Sequence, residues 1–117
     1  MNFMLAPFLF MRVNGLTWKI KFTNNTNDLR IGNRIHLGVT DRDSRTVFLD
    51  DSLRNRLLRK VLIHELTHVW AYSYGYNIDR EDEEFLCSFI DTYAEEIINN
   101  ADEFLKSDKS ELKKYML

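Results

Sequence analysis

The segment VLIHELTHVW, Val61 to Trp70, sets two histidines and a glutamate among residues that otherwise belong in an apolar core. On a helix, side chains four residues apart lie about 40° from eclipsed, with Cβ atoms roughly 5 to 6 Å apart. His64 and His68 can therefore offer one ring nitrogen each to a single ion, at about 2.0 to 2.1 Å if that ion is zinc. Glu65, one step round the helix, reaches the position where a bound water would stand. The residues around this HExxH pattern, Leu62, Ile63, Leu66, Thr67 and Val69, are uncharged, and the stretch has no proline. A metal makes the burial tolerable, because the imidazole lone pairs become satisfied groups. The plainer alternative is a pair of hydrogen-bonded core histidines.

A catalytic zinc usually holds three protein ligands and keeps one position open. The metzincin pattern would place glycine and histidine where this chain has Ala71 and Tyr74, and is excluded. A downstream ligand histidine of the SprT-like kind is also missing, since the only other histidine, His36, lies upstream. A glutamate is left as donor. Among Glu81, Asp82, Glu83 and Glu84, the preferred third ligand is Glu84, because Glu84, Cys87, Ser88 and Asp91 share one helical face whose small residues permit close approach. Asp91 can then orient His64 or His68 by hydrogen bonding to the ring. Glu83 is the near rival and Glu81 the outsider; the same acids equally suit the positive end of a helix dipole.

These residues need elements to position them. LTWKIKF, Leu16 to Phe22, alternates Leu16, Trp18, Ile20 and Phe22 against Thr17, Lys19 and Lys21, the pattern of a half-buried strand. TNNTND is turn chemistry, and RIHLGV and TVFLD read as two strands around the polar turn TDRDSR. The first half is thus expected to be a small antiparallel sheet. From Asp51 the period becomes helical through Leu53, Leu57, Leu58, Val61, Leu62 and Ile63, with Asp50, Asp51 and Ser52 as N-cap candidates and Gly75 as the stop. A second helix is expected from about Asp79, burying Phe85, Leu86, Phe89, Ile90, Tyr93, Ala94, Ile97 and Ile98, with Asn99 and Asn100 weakening or ending it. SDKSELKKYML reads as a short C-terminal helix capped near Ser107 or Asp108. The fold class is α+β.

The chain has 117 residues and is expected to form one domain over 1–117. Residues 1–10 are read as a start-site extension or a loosely packed arm before MRVNGLTWKIKF. Residues 1–60 hold 11 Lys+Arg against 5 Asp+Glu, and residues 61–117 hold 5 against 13. The basic side chains Arg12, Lys19, Lys21, Arg30, Arg34, Arg42 and Arg45 are scattered singly, which favours solvated surface and pairing with the acidic half over a nucleic-acid face. One cysteine, Cys87, excludes an internal disulfide and fits a reducing compartment. The apolar opening lacks the basic start and cleavage site of a leader and ends at Arg12, short of a membrane span, so a cytoplasmic location and no membrane partner are expected.

With HELTHVW, EDEEFLCSFIDTYAEEI and RTVFLDDSL taken together, the chain resembles small zincin-type metallopeptidases of the gluzincin kind, closest to short phage and bacterial proteins akin to ImmA/IrrE peptidases. The resemblance covers roughly residues 35–98. It implies a minimal zincin fold, one Zn2+, hydrolysis of a peptide or protein substrate, ligands His64 and His68, catalytic Glu65 and third ligand Glu84. Cys87 and Ser88 stand where the family's helix has alanine and asparagine, a departure that leaves the ligand register open between Glu84 and Glu83. In this mechanism Glu65 takes a proton from the metal's water and returns it to the leaving amine. Tyr72, Tyr74, Tyr76 and His36 are candidates to stabilise the oxyanion, each with plain packing as its alternative. TVFLD is a candidate edge strand for an extended peptide, or an interior strand. A rival of another class is a zinc-stabilised prophage module that engages a protein regulator without turnover, for which Cys87 as a fourth ligand would be the sign. A weaker one is nucleic-acid binding through the basic half.

Overall fold

The computed structural model describes residues 8–106 and Tyr115. Six strands precede two helices: β1 (Phe8–Val13), β2 (Leu16–Thr23), β3 (Arg30–Ile31), β4 (Arg34–Ile35), β5 (Gly38–Asp41), β6 (Thr46–Asp50), α1 (Asn55–Ser73) and α2 (Arg80–Lys106), with a 3-10 turn over Thr26–Leu29. The fold is α+β. The main sheet has the order β1-β2-β6-β5, and β3 and β4 form a separate small hairpin.

The sheet is mixed rather than antiparallel. β1 pairs antiparallel with β2, and β5 antiparallel with β6, but β2 and β6 run parallel from Lys19 opposite Thr46 to Thr23 opposite Asp50. The chain makes this parallel pair by spending residues 24–45 on the 3-10 turn, the small hairpin and β5 before β6 returns beside β2. Strand spacing alone cannot show such a return. Three of the residues assigned to a loose N-terminal arm, Phe8 to Phe10, lie in β1, paired with Lys21, Ile20 and Lys19. The signal for that hairpin is Asn14-Gly15, whose φ values of 49° and 81° match the left-handed positions of a two-residue turn.

Alternation in β2 is carried through as expected for Leu16, Trp18 and Ile20, which join the core, while Phe22 is partly exposed. That core consists of Val13, Trp18, Val47, Leu49, Leu53 and Val69, with Leu58, Val61, Leu62 and Leu66 of α1 packed against it. α1 therefore lies on the sheet with one apolar flank down.

The start of α1 differs from expectation. Asp50 accepts hydrogen bonds from the amide and hydroxyl of Ser52, both at 2.9 Å, so these residues form a turn after β6 instead of a cap. The helix starts at Asn55, itself at φ 53°, after Arg54 in extended backbone with no side-chain cap. The end is as expected: Gly75 at φ 76° donates to the Tyr72 carbonyl and the Tyr76 amide to the Ala71 carbonyl, a Schellman closure.

α2 begins where Asp79 accepts from the Asp82 amide at 3.1 Å. It runs through Asn99 and Asn100 to Lys106, because the Asn100 amide donates back to the Glu96 carbonyl and costs the helix no bond. Its apolar stripe is largely uncovered: Phe85 is 72% exposed and Ile97 54%, with Leu86, Phe89, Tyr93 and Ile98 also exposed. The residues α2 does bury are Glu83 and Cys87. The expected C-terminal helix near Ser107 or Asp108 lies outside the described residues. No helix among the described residues is long and apolar enough to cross a membrane.

The fully buried indole of Trp18 donates to the Ser73 hydroxyl at 2.9 Å, tying β2 to the last residue of α1. Ser73→Ala leaves that N–H without a partner and is expected to lower unfolding stability by about 1 to 3 kcal/mol, measured by urea denaturation.

Candidate metal centre

α1 brings His64, Glu65 and His68 to its α2- and β5-facing side. The two imidazoles stand with ring centroids 5.4 Å apart and planes at 68°. Each ring has one nitrogen held by a buried carboxylate. His64 Nδ1 lies 2.8 Å from Asp91 Oδ2, and His68 Nδ1 lies 2.5 Å from Glu83 Oε2. Both Nε2 atoms then converge on one carboxylate: His64 Nε2 is 3.1 Å from Glu84 Oε1, and His68 Nε2 is 3.2 Å from Glu84 Oε2.

This arrangement has a definite electrostatic meaning. Asp91 and Glu83, as acceptors, place the proton of each neutral ring on Nδ1. Two Nε2 lone pairs would then face an anion, which is unfavourable unless further protons or a cation lie between them. Ligands at about 2.0 to 2.1 Å in a tetrahedron are about 3.3 Å apart. The observed N···O separations of 3.1 and 3.2 Å are close to that edge and also within hydrogen-bond range, so the placing of Glu84 against the two rings is compatible with a small dication.

The carboxylates that hold the rings are themselves held. Burial pushes Glu83 up, but hydrogen bonds from His68 and Arg42 outweigh it and leave the group below the ordinary carboxylate range. Arg42, at the end of the β5–β6 hairpin, reaches Glu83 Oε2 at 2.7 Å. Asp91 is likewise raised by burial and lowered further by Lys60, His64 and Thr92. Lys60 forms an ion pair with its Oδ1.

Glu65 is buried against β5. Burial raises its pKa, and the Thr40 hydroxyl donates to its Oε1 at 2.7 Å. Gly38 makes this contact possible: a Cβ there would stand 2.9 Å from Glu65 Cγ, 2.9 Å from Val61 Cγ1 and 3.1 Å from Glu65 Oε2. Cys87 is in the same cluster, its Sγ and one nitrogen of each histidine lying within 4.8 Å of one another. Burial first, then the surrounding carboxylates, push its thiol up to about 12.

A cleft of about 670 Å³ opens over this cluster. His36 lines it, as do Gly38, Val39 and Thr40 of β5 and Arg34 of β4. Tyr72, Tyr74 and Tyr76 do not. Tyr72 packs edge-on to Trp18 with the Arg42 guanidinium over its ring, and Tyr74 and Tyr76 line a separate apolar cavity with Trp70 and Leu86. TVFLD, as β6, is interior; the edge beside α1 is β5.

Of the expected site residues, the structure brings His64, His68, Glu65 and Glu84 together, with Asp91 at His64 as its helical register suggested. Glu83 faces the outer nitrogen of His68, and Glu81 is not in the cluster. Sequence reasoning missed Gly38, Thr40 and Arg42. A glycine and a threonine two apart on a short strand carry no distinctive signal; Arg42 was expected at the surface or paired with the acidic half, as it is with Glu83, but not as part of the site. No protein-family model, curated protein or solved structure matches the chain.

Gly38→Ala places a methyl group against Glu65 and Val61. Overpacking of this kind costs about 1 to 3 kcal/mol, and chemical denaturation is expected to read a loss in that range.

Proposed function

We propose that this chain is a zinc-dependent peptidase of minimal zincin architecture. The observation that carries the reading is the convergence of His64 Nε2, His68 Nε2 and the two oxygens of Glu84, with each ring's remaining nitrogen hydrogen-bonded to a buried carboxylate. His64, His68 and Glu84 would hold the ion. Carboxylate–histidine pairs orient metal-binding rings and raise their basicity, the role assigned to Asp91 and Glu83. When bound, zinc supplies a Lewis acid and a water acidified to a pKa of about 7.

The chain's own residues then perform the proton transfers. Glu65 accepts the proton of the attacking water and delivers it to the amine that leaves. Its burial makes the carboxylate a better proton acceptor than a solvated one, and the Thr40 hydroxyl fixes one of its oxygens. His36, which lines the cleft, is the oxyanion candidate retained; the three tyrosines lie elsewhere. An extended peptide fits along β5, which among the described residues is an edge strand of the main sheet, paired with β6, and runs beside the cluster.

A second reading is favoured by one observation, the nearness of Cys87 to both histidines. Four ligands, His64, His68, Glu84 and Cys87, would close the site and make the chain a zinc-stabilised module that binds a protein regulator without turnover. Against it stands Glu65, which has no part in a closed structural site.

Purified protein is expected to contain one equivalent of zinc, to cleave peptides, and to lose that activity on treatment with a chelator and regain it with added zinc. Glu65→Gln should keep the zinc and lower kcat by about a hundredfold or more. Glu84→Ala should weaken zinc retention measured by competition with a chromogenic chelator. A cobalt-substituted protein showing a thiolate charge-transfer band that disappears in Cys87→Ser would establish the closed site, and full activity in Glu65→Gln would end the peptidase mechanism.

A further inference from the structure

The cleft over the histidine cluster is lined by three arginines, Arg34, Arg42 and Arg80, and their circumstances differ. Arg42 is committed to Glu83. The side chains of Arg34, on β4, and Arg80, in the first turn of α2, have no ion pair or hydrogen bond among the described residues, although both line the cleft. The acids of the cleft are already engaged: Glu84 and Glu83 face the imidazoles, Glu83 also holds Arg42, and Glu65 rests on Thr40. With a dication at the cluster, its two charges offset Glu65 and Glu84, Arg42 offsets Glu83, and the guanidinium groups of Arg34 and Arg80 stay open to a carboxylate entering the cleft.

We propose that the cleft selects peptides bearing a carboxylate close to the cleaved bond, with Arg34 and Arg80 as the groups that recognise it; this rests on the peptidase reading. A guanidinium presents paired N–H donors that match a carboxylate in planar, bidentate geometry. Ile31, Val39 and Ile78 line the same cleft and suit a peptide side chain beside the anion. A polyanion such as nucleic acid is disfavoured, because Glu81 and Asp82 are exposed beside Arg80 and Asp41 and Asp43 follow along the β5–β6 hairpin. A single carboxylate can reach the arginines without meeting them. It can come from an aspartate or glutamate side chain or from a free C-terminus.

The test uses degenerate octapeptide pools fixed at a central position as Asp/Glu or as Asn/Gln, each made with a free or an amidated C-terminus. Cleavage by the zinc-loaded protein is read by mass spectrometry, and binding by fluorescence anisotropy with the Glu65→Gln protein. The acidic pool is expected to be cut and bound in preference, by about tenfold for each guanidinium engaged. Arg34→Gln and Arg80→Gln together should remove that preference. A preference that follows the free C-terminus and ignores the central residue identifies the terminal carboxylate as the source. Equal handling of acidic and neutral pools, no binding of either, or a preference undiminished in the double variant overturns the proposal. Acidic binding lost in the double variant but accompanied by no cleavage in any pool sinks the peptidase reading and leaves the carboxylate site standing.

Discussion

Two imidazole rings, each with one nitrogen bonded to a buried carboxylate, must turn their other nitrogen the opposite way, and here both turn toward Glu84. Most of the architecture follows from meeting that constraint. Glu83 is 2% exposed and Asp91 nearly as buried, a placement costly for a carboxylate unless it is paired and hydrogen-bonded. Pairing comes from outside α2: Arg42 is delivered by the turn that ends β5, and Lys60 by the first half of α1. The charges of the centre thus tie together the sheet edge, the helix that bears the histidines and the helix that bears the acids. Removing one partner of such a pair leaves the other charge buried alone, which is why these residues behave as one unit.

The second constraint is steric and concerns β5. Hydrogen fills the place of a side chain at Gly38, so α1 comes close enough for Glu65 to lie against the strand and accept from Thr40. A strand that close to a helix face is shielded on that side and paired to β6 on another, leaving its remaining edge toward the cleft. Under the proposed function, the element that positions the general base is also the element against which the peptide lies. The distance between base and backbone is then set by two residues of one strand, not by a loop.

Much of this was legible in the sequence, for identifiable reasons. His64 and His68 are four apart on a helix, a spacing that fixes their relation whatever surrounds them, and Glu84 and Asp91 are two turns apart, so one face of α2 was bound to carry both. The strand β2 was equally plain from its alternation. Long-range pairing was not legible: the parallel union of β2 and β6 depends on how residues 24–45 are routed, and nothing local encodes it. The cap of α1 was misplaced because Asp50 and Ser52 serve equally well in a turn, and only the backbone decides between the two uses. The apolar stripe of α2 was read as buried from its period, yet a 27-residue helix outreaches the face that α1 offers it, and all of residues 95–106 are exposed.

The choice between Glu83 and Glu84 shows how a one-residue step changes a role. On a helix, neighbours are rotated about 100° from one another, so two successive glutamates at the start of α2 cannot address the same side of a ring. Glu83 turns inward, meets His68 Nδ1 and Arg42, and is almost wholly buried; Glu84 turns toward the cleft, is half exposed, and spans both Nε2 atoms. Under the proposed function, an ion that must also admit water and substrate needs its carboxylate ligand at the mouth of the cleft and its orienting carboxylate behind the ring. Interchanging the two would bury the ligand and leave Arg42 without its partner. On that reading the pair has two different roles at adjacent positions, following the different ring nitrogens that Glu83 and Glu84 meet.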